Sequence, residues 1–147
     1  MTVLRLEHIG IVVDDLAAAA AFFAALGLEI EGEASVDGDL VDRINGLEGV
    51  RADIVILRTP DGNAKVELAK YRSPVYENGG ENRPEPANAP GIRHILFVVD
   101  DIEASLAGLR AHDGELVGEL VNYENSYWLC YVRGPAGTIV ELAEKIS

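Results

Sequence analysis

The chain has 147 residues, 48% of them apolar, which permits one well-buried core and excludes disorder as its default state. Its formal net charge of −13 and pI near 4.5 argue against a nucleic-acid partner, because phosphates need a basic footprint. A single cysteine, Cys130, cannot close an internal disulfide, which fits a reducing cytoplasm.

The first predicted element is an alternating strand over residues 5–13, "RLEHIGIVV". Asp14 and Asp15 then offer an N-cap to an Ala/Leu-rich helix that ends near Gly27. That helix, "LAAAAAFFAALGL", is too short to cross a bilayer and follows acidic residues where a signal peptide would be basic, so no membrane association is expected. A second strand is expected over residues 28–35, and residues 36–50 form an insert in which "DLVDRINGL" reads as a short helical turn. Strands at 51–59 and 64–70 make a hairpin around Pro60-Asp61-Gly62.

Residues 71–91, rich in Pro, Asn, Gly and Glu, read as an irregular linker or lid. The series then repeats. A strand is expected at 92–99, an Asp100/Asp101 cap, a helix ending near Gly114, a strand at 115–121, and a hairpin of 127–133 with 138–143 around Pro135-Ala136-Gly137. A shift of 86 positions aligns residues 6–33 with 92–119, and 12 of those 28 pairs are identical. Each half reads as βαβββ, so the chain is expected to be a single domain over 1–147 with modules at about 3–70 and 92–145. The class is α+β: tandem modules forming a mixed, cupped eight-stranded sheet with helices on its convex face.

The repeat also duplicates chemistry. Strand alternation places His8 opposite Ile9, Ile11 and Val13, and His94 is its repeat equivalent. Glu67 in "KVELA" and Glu141 in "IVELA" are flanked by apolar residues and point the same way. Two imidazoles and two carboxylates suit a divalent transition metal, whose charge would neutralise both glutamates. Read singly, each residue is more often structural; their joint recurrence favours a site. The stretch "YENSYWLCYVRG" places Tyr127, Trp128, Tyr131 and Arg133 where they line an apolar pocket or serve ordinary sheet packing. His112 reads as a helix-end residue and Cys130 as a small buried hydrophobe.

With "HIGIVVDD", "KVELAKY", "IRHILFVVDD" and "GPAGTIVELAEK" in place, the chain resembles the vicinal oxygen chelate superfamily over nearly its full length. That group includes glyoxalase I, methylmalonyl-CoA epimerase, extradiol dioxygenases and bleomycin-resistance proteins. The resemblance implies metal-ligand roles for His8, Glu67, His94 and Glu141, one divalent ion (Zn, Ni, Co, Mn or Fe), a small-molecule substrate and a homodimer. It implies a lyase or isomerase acting through an enediolate, with Glu141 the first candidate for the base and Glu67 the second. Val12 stands where glyoxalase I usually has its glutathione-binding arginine, which argues against a glutathione adduct. Two alternatives stay open: an iron-dependent dioxygenase using His8, His94 and Glu141, and a non-catalytic small-molecule binding or resistance protein.

Overall fold

The computed structural model describes residues 1–77 and 84–146, and the chain divides into two compact units, Met1–Glu81 and Asn82–Ser147. Unit 1 contains β1 (Ile9–Val12), α1 (Leu16–Leu26), β2 (Glu29–Asp37), α2 (Asp39–Asn45), β3 (Arg51–Arg58) and β4 (Lys65–Ser73). Its strands lie in the order β1-β4-β3-β2, with β1 parallel to β4 and the other pairs antiparallel. Unit 2 contains β5 (His94–Val98), α3 (Ile102–Arg110), β6 (Glu115–Leu116), β7 (Val121–Tyr123), β8 (Tyr127–Arg133) and β9 (Ile139–Lys145). Its sheet order is β5-β9-β8-β6, with β7 also pairing β8, and β5 again runs parallel to β9. The α+β class and the doubled βαβββ scheme are therefore present, with nine strands in two mixed sheets among the described residues.

Local sequence explains the entry into each helix. Asp15 accepts a hydrogen bond from the Ala18 N–H at 3.0 Å, and Asp101 does the same for Ala104 at 3.0 Å. Each carboxylate satisfies one of the four orphan donors of a helix N-terminus.

The helix exits differ. After α1, Gly27 takes the left-handed conformation at φ 113°, and the Leu28 N–H reaches the Phe23 carbonyl at 3.1 Å. After α3 the equivalent left-handed residue is Asp113 at φ 66°, and Gly114 donates to the Leu109 carbonyl at 2.8 Å. Gly114 is thus one position beyond the residue that reverses the chain. Its role is close approach: a Cβ there would lie 2.8 Å from the Leu109 oxygen and 3.0 Å from Val132 Cγ1.

Two further differences from the sequence reading come from repeat-equivalent glycines. At Gly32 the β2–β3 register slips, so Glu31 is an extra residue between Ile30 and Gly32. At Gly118 the expected strand breaks, leaving the short β6 and β7 where one strand was expected. The insert carries α2 over seven residues, and Asp42 pins the following loop by accepting from the Gly49 and Val50 N–H groups at 3.0 and 2.8 Å. Strand β4 extends three residues into the expected linker, whose positions 78–83 lie outside the described residues.

Burial follows the two-residue period. In unit 1, Ile11, Val13, Val66 and Leu68 are buried together with Phe22 and Phe23 of α1, while Val12 is exposed. In unit 2, Leu106 and Leu109 of α3 are buried together with Val132, Val140 and Leu142. Among the described residues no helix is long and apolar enough to cross a membrane.

Candidate metal-binding residues

The parallel pairing of first and last strands brings each histidine beside a glutamate. In unit 1, Gly10 lies opposite Glu67, and His8 stands two residues upstream of Gly10. In unit 2, Leu96 lies opposite Glu141, and His94 stands two residues upstream of Leu96. The same diagonal therefore forms twice. His8 Nε2 is 3.0 Å from Glu67 Oε2, and His94 Nε2 is 3.4 Å from Glu141 Oε1. Side-chain exposure is 41% and 26% in the first pair and 42% and 13% in the second, so each imidazole reaches solvent and Glu141 is the drier carboxylate.

These spacings suit a shared cation. Two donors each about 2.1 Å from one ion lie about 3.0 Å apart at a right angle and about 3.4 Å apart at the tetrahedral angle. They also suit an imidazolium–carboxylate contact. Within either unit, among the described residues, no three His, Cys, Asp or Glu side chains cluster as a metal site; each unit supplies one such diagonal imidazole–carboxylate pair.

The two histidines have different surroundings. His8 Nδ1 contacts the Glu7 carboxylate. Glu7 in turn meets Lys65 Nζ at 3.2 Å, and the same ammonium meets Glu31 at 3.2 Å. The bulge at Glu31 re-aims that side chain relative to a regular strand. Hydrogen bonding to His8, then to Lys65, holds the Glu7 carboxyl below its ordinary range, and Glu31 followed by Glu7 holds the Lys65 ammonium above its own. His94 instead stacks on Tyr131, with ring centroids 5.1 Å apart and planes at 33°. Tyr131 is also the cross-strand partner of Glu141.

The expected aromatic pocket is divided by strand alternation. Tyr127, Tyr131 and Arg133 share one face of β8, and Trp128 falls on the other with buried Cys130 and Val132. Arg133 uses Nη1 to donate to the Glu85 and Gly137 carbonyls, at 2.8 and 3.0 Å, and so ties the turn before β9 to the preceding segment. Tyr131 is the residue of this set that meets the candidate site. Burial raises the Cys130 thiol above its ordinary range, as expected for a packed side chain. His112 is exposed in the turn after α3.

Sequence reasoning missed Glu7 and Lys65. Strand alternation puts Glu7 on the opposite face from His8, but the chain before Ile9 is not in a strand, and both side chains turn to one cluster. The available signal was a carboxylate adjacent to a candidate ligand.

Comparison with known proteins places these observations. Residues 5–142 match the model of the Glyoxalase/Bleomycin resistance protein/Dioxygenase superfamily. A crystal structure of a glyoxalase family protein from Bacillus cereus is 39% identical, with TM-score 0.93, covering 100% of this chain and 97% of that one. The uncharacterised protein YaeR of Escherichia coli K12 is 25% identical over 142 residues, 96% of each chain. The fold is also shared with a mutant of the fosfomycin resistance protein FosX from Listeria monocytogenes, solved with Mn(II) and 1S,2S-dihydroxypropylphosphonic acid. That structure is 13% identical with TM-score 0.61, over 99% of this chain and 92% of that one.

Proposed function

This chain belongs to the Glyoxalase/Bleomycin resistance protein/Dioxygenase superfamily, and from its two His–Glu pairs we propose that it is a divalent-metal-dependent lyase or isomerase acting on a small oxygenated substrate. The supporting observation is the recurrence of one imidazole–carboxylate diagonal in both modules, at 3.0 and 3.4 Å. His8, Glu67, His94 and Glu141 are the donors, nitrogen and oxygen ligands that suit Zn, Ni, Co, Mn or Fe. The FosX structure, a fold neighbour, was solved with Mn(II). An ion held by these residues would supply Lewis-acid chemistry, polarising a substrate carbonyl.

Glu141 is the first candidate for the general base. It takes a proton from the carbon next to the carbonyl, and the C–H electron pair shifts to make an enediolate. Returning the proton to the neighbouring carbon gives the isomer; expelling a leaving group gives the lyase product. Glu67, on the equivalent strand, is the second candidate for that proton. Tyr131 packs against His94 and lies across from Glu141, which places an aromatic ring beside the candidate base.

The test is elemental analysis after chelator-free purification, followed by titration with Zn(II) and Mn(II). About one ion per chain is expected. No metal on purification and no binding on titration would reject the metal-dependent reading in favour of a binding protein. Oxygen uptake with Fe(II) in a Glu67→Ala variant would favour the dioxygenase chemistry.

A further inference from the structure

The repeat makes the two histidines equivalent by sequence, but the groups behind them are not equivalent. The position that aligns with Glu7 is Arg93, whose Nη2 donates to the Pro90 carbonyl at 3.3 Å. The strand position equivalent to Lys65 is Ile139, which is fully buried. The chain Glu31–Lys65–Glu7–His8–Glu67 therefore belongs to the first module alone.

An imidazole has two different ring nitrogens, and the partner of one sets the role of the other. With Nδ1 against a carboxylate, Nδ1 carries the proton as donor. Nε2 then faces Glu67 at 3.0 Å. A bare lone pair against a carboxylate oxygen would be repelled, so that gap needs a proton on Nε2 or a cation between the two atoms. Lys65 holds Glu7 from the other side, its Nζ 3.2 Å from Glu7 Oε1, while the second carboxylate oxygen meets His8 Nδ1. These side chains are half-exposed, and such contacts add little to stability; their consequence is orientation.

We propose that Glu7, braced by Lys65, is a positioning residue that fixes His8 with Nδ1–H on Glu7 and Nε2 presented, beside Glu67, to the metal. The proposal rests on the metal-dependent reading above. His94 has the Tyr131 ring beside it and Glu141 at 3.4 Å, with no counterpart of the Glu7–Lys65 brace.

The experiment compares the parent, Glu7→Leu, Glu7→Gln and Lys65→Met by competitive Zn(II) titration at about 0.15 M salt, where the Debye length of about 8 Å screens distant charge. In parallel, long-range 15N–1H correlation of the histidine rings is recorded on the Zn-loaded parent and variants. In the parent His8 should show a zinc-bound Nε2 and a slowly exchanging Nδ1 proton. Glu7→Leu should lose that slow proton and bind Zn(II) about 10–100-fold more weakly, the range for removal of a carboxylate that orients a ligating histidine. Glu7→Gln, which keeps an acceptor oxygen, should retain the proton and fall between; Lys65→Met should weaken binding a few-fold. The His94 ring signals should be unchanged in all three. Glu7 acts through His8 and is outside the fold core, so thermal melts without metal should coincide with the parent.

Parent-like affinity in Glu7→Leu, or an unaltered His8 Nδ1 proton, would overturn the positioning role while leaving the metal-dependent reading standing. A parent that binds no metal would overturn both. The two failures are distinguished by the parent's own titration.

Discussion

Glu67→Ala tests whether the fourth donor is real. Without metal the substitution removes a half-exposed contact with His8, worth about 0–1 kcal/mol. For a chain of this length 1 kcal/mol moves Tm by about 2–4 °C, so the metal-free melt should shift by no more than that. With metal the expectation changes. Loss of a donor that touches the ion should weaken binding by at least about 100-fold, the upper end of what removing an outer hydrogen-bond partner does. At free metal equal to about 100 times the parent's Kd, the parent gains about 2.7 kcal/mol of stability from binding. A variant weakened about 100-fold gains about 0.4 kcal/mol under the same conditions. The difference, about 2.3 kcal/mol, corresponds to about 5–9 °C of metal-induced Tm shift lost in Glu67→Ala. The assay is a set of thermal melts of parent, Glu67→Ala and His94→Ala, each with and without Zn(II) or Mn(II). Equal losses in the two variants support four donors. A parent-like shift in Glu67→Ala beside its loss in His94→Ala would refute the four-donor site and leave His8, His94 and Glu141 as a triad.

Other outcomes follow from the same structure. Leu142→Ala, at a fully buried side chain of β9, should cost about 2–5 kcal/mol in urea unfolding of the metal-free chain. Gly114→Ala should cost about 1–3 kcal/mol, since its Cβ would press on the Leu109 carbonyl and Val132, whereas Asp113→Gly at the left-handed position should be near neutral. Burial raises the Cys130 thiol, so below its ordinary range both folded and unfolded chains hold the proton and no pH effect arises. As pH rises above about 9 the unfolded chain loses that proton first, so stability should fall, and Cys130→Ala should remove that part of the decline in urea melts taken at pH 8 to 10. A homodimer is expected in light scattering at tens of micromolar, roughly the range in which a standard-size interface persists, and a monomer there would refute it.

The legibility of the sequence was uneven for physical reasons. Repetition with a period-2 strand pattern is a long-range statistical signal, so the two βαβββ modules, their Asp caps and the His8/Glu67 and His94/Glu141 candidates could be read directly. Single glycines are ambiguous, because the same residue serves a cap, a bulge, a break or a close approach. Gly32 and Gly118 are equivalent in sequence, yet one bends a strand and the other ends it. The residues around the candidate ligands were the least legible. Glu7 lies outside the strand whose alternation would have placed it, and Lys65 reaches it from β4, 58 positions along the chain from Glu7 to Lys65.

The sequence by itself determined most of the elements and, inside the regular strands, which side chains share a face, since helix capping and strand alternation depend on near neighbours. Only the tertiary structure decided which neighbours meet. Parallel pairing of β1 with β4 and of β5 with β9 sets each histidine on a diagonal to its glutamate, and no local rule specifies that register. It also separated two histidines that the repeat made alike: His8 leans on a carboxylate held by a lysine, and His94 on an aromatic ring. The partner of an imidazole nitrogen is a matter of ångströms across the sheet, and spacing along the chain does not encode it.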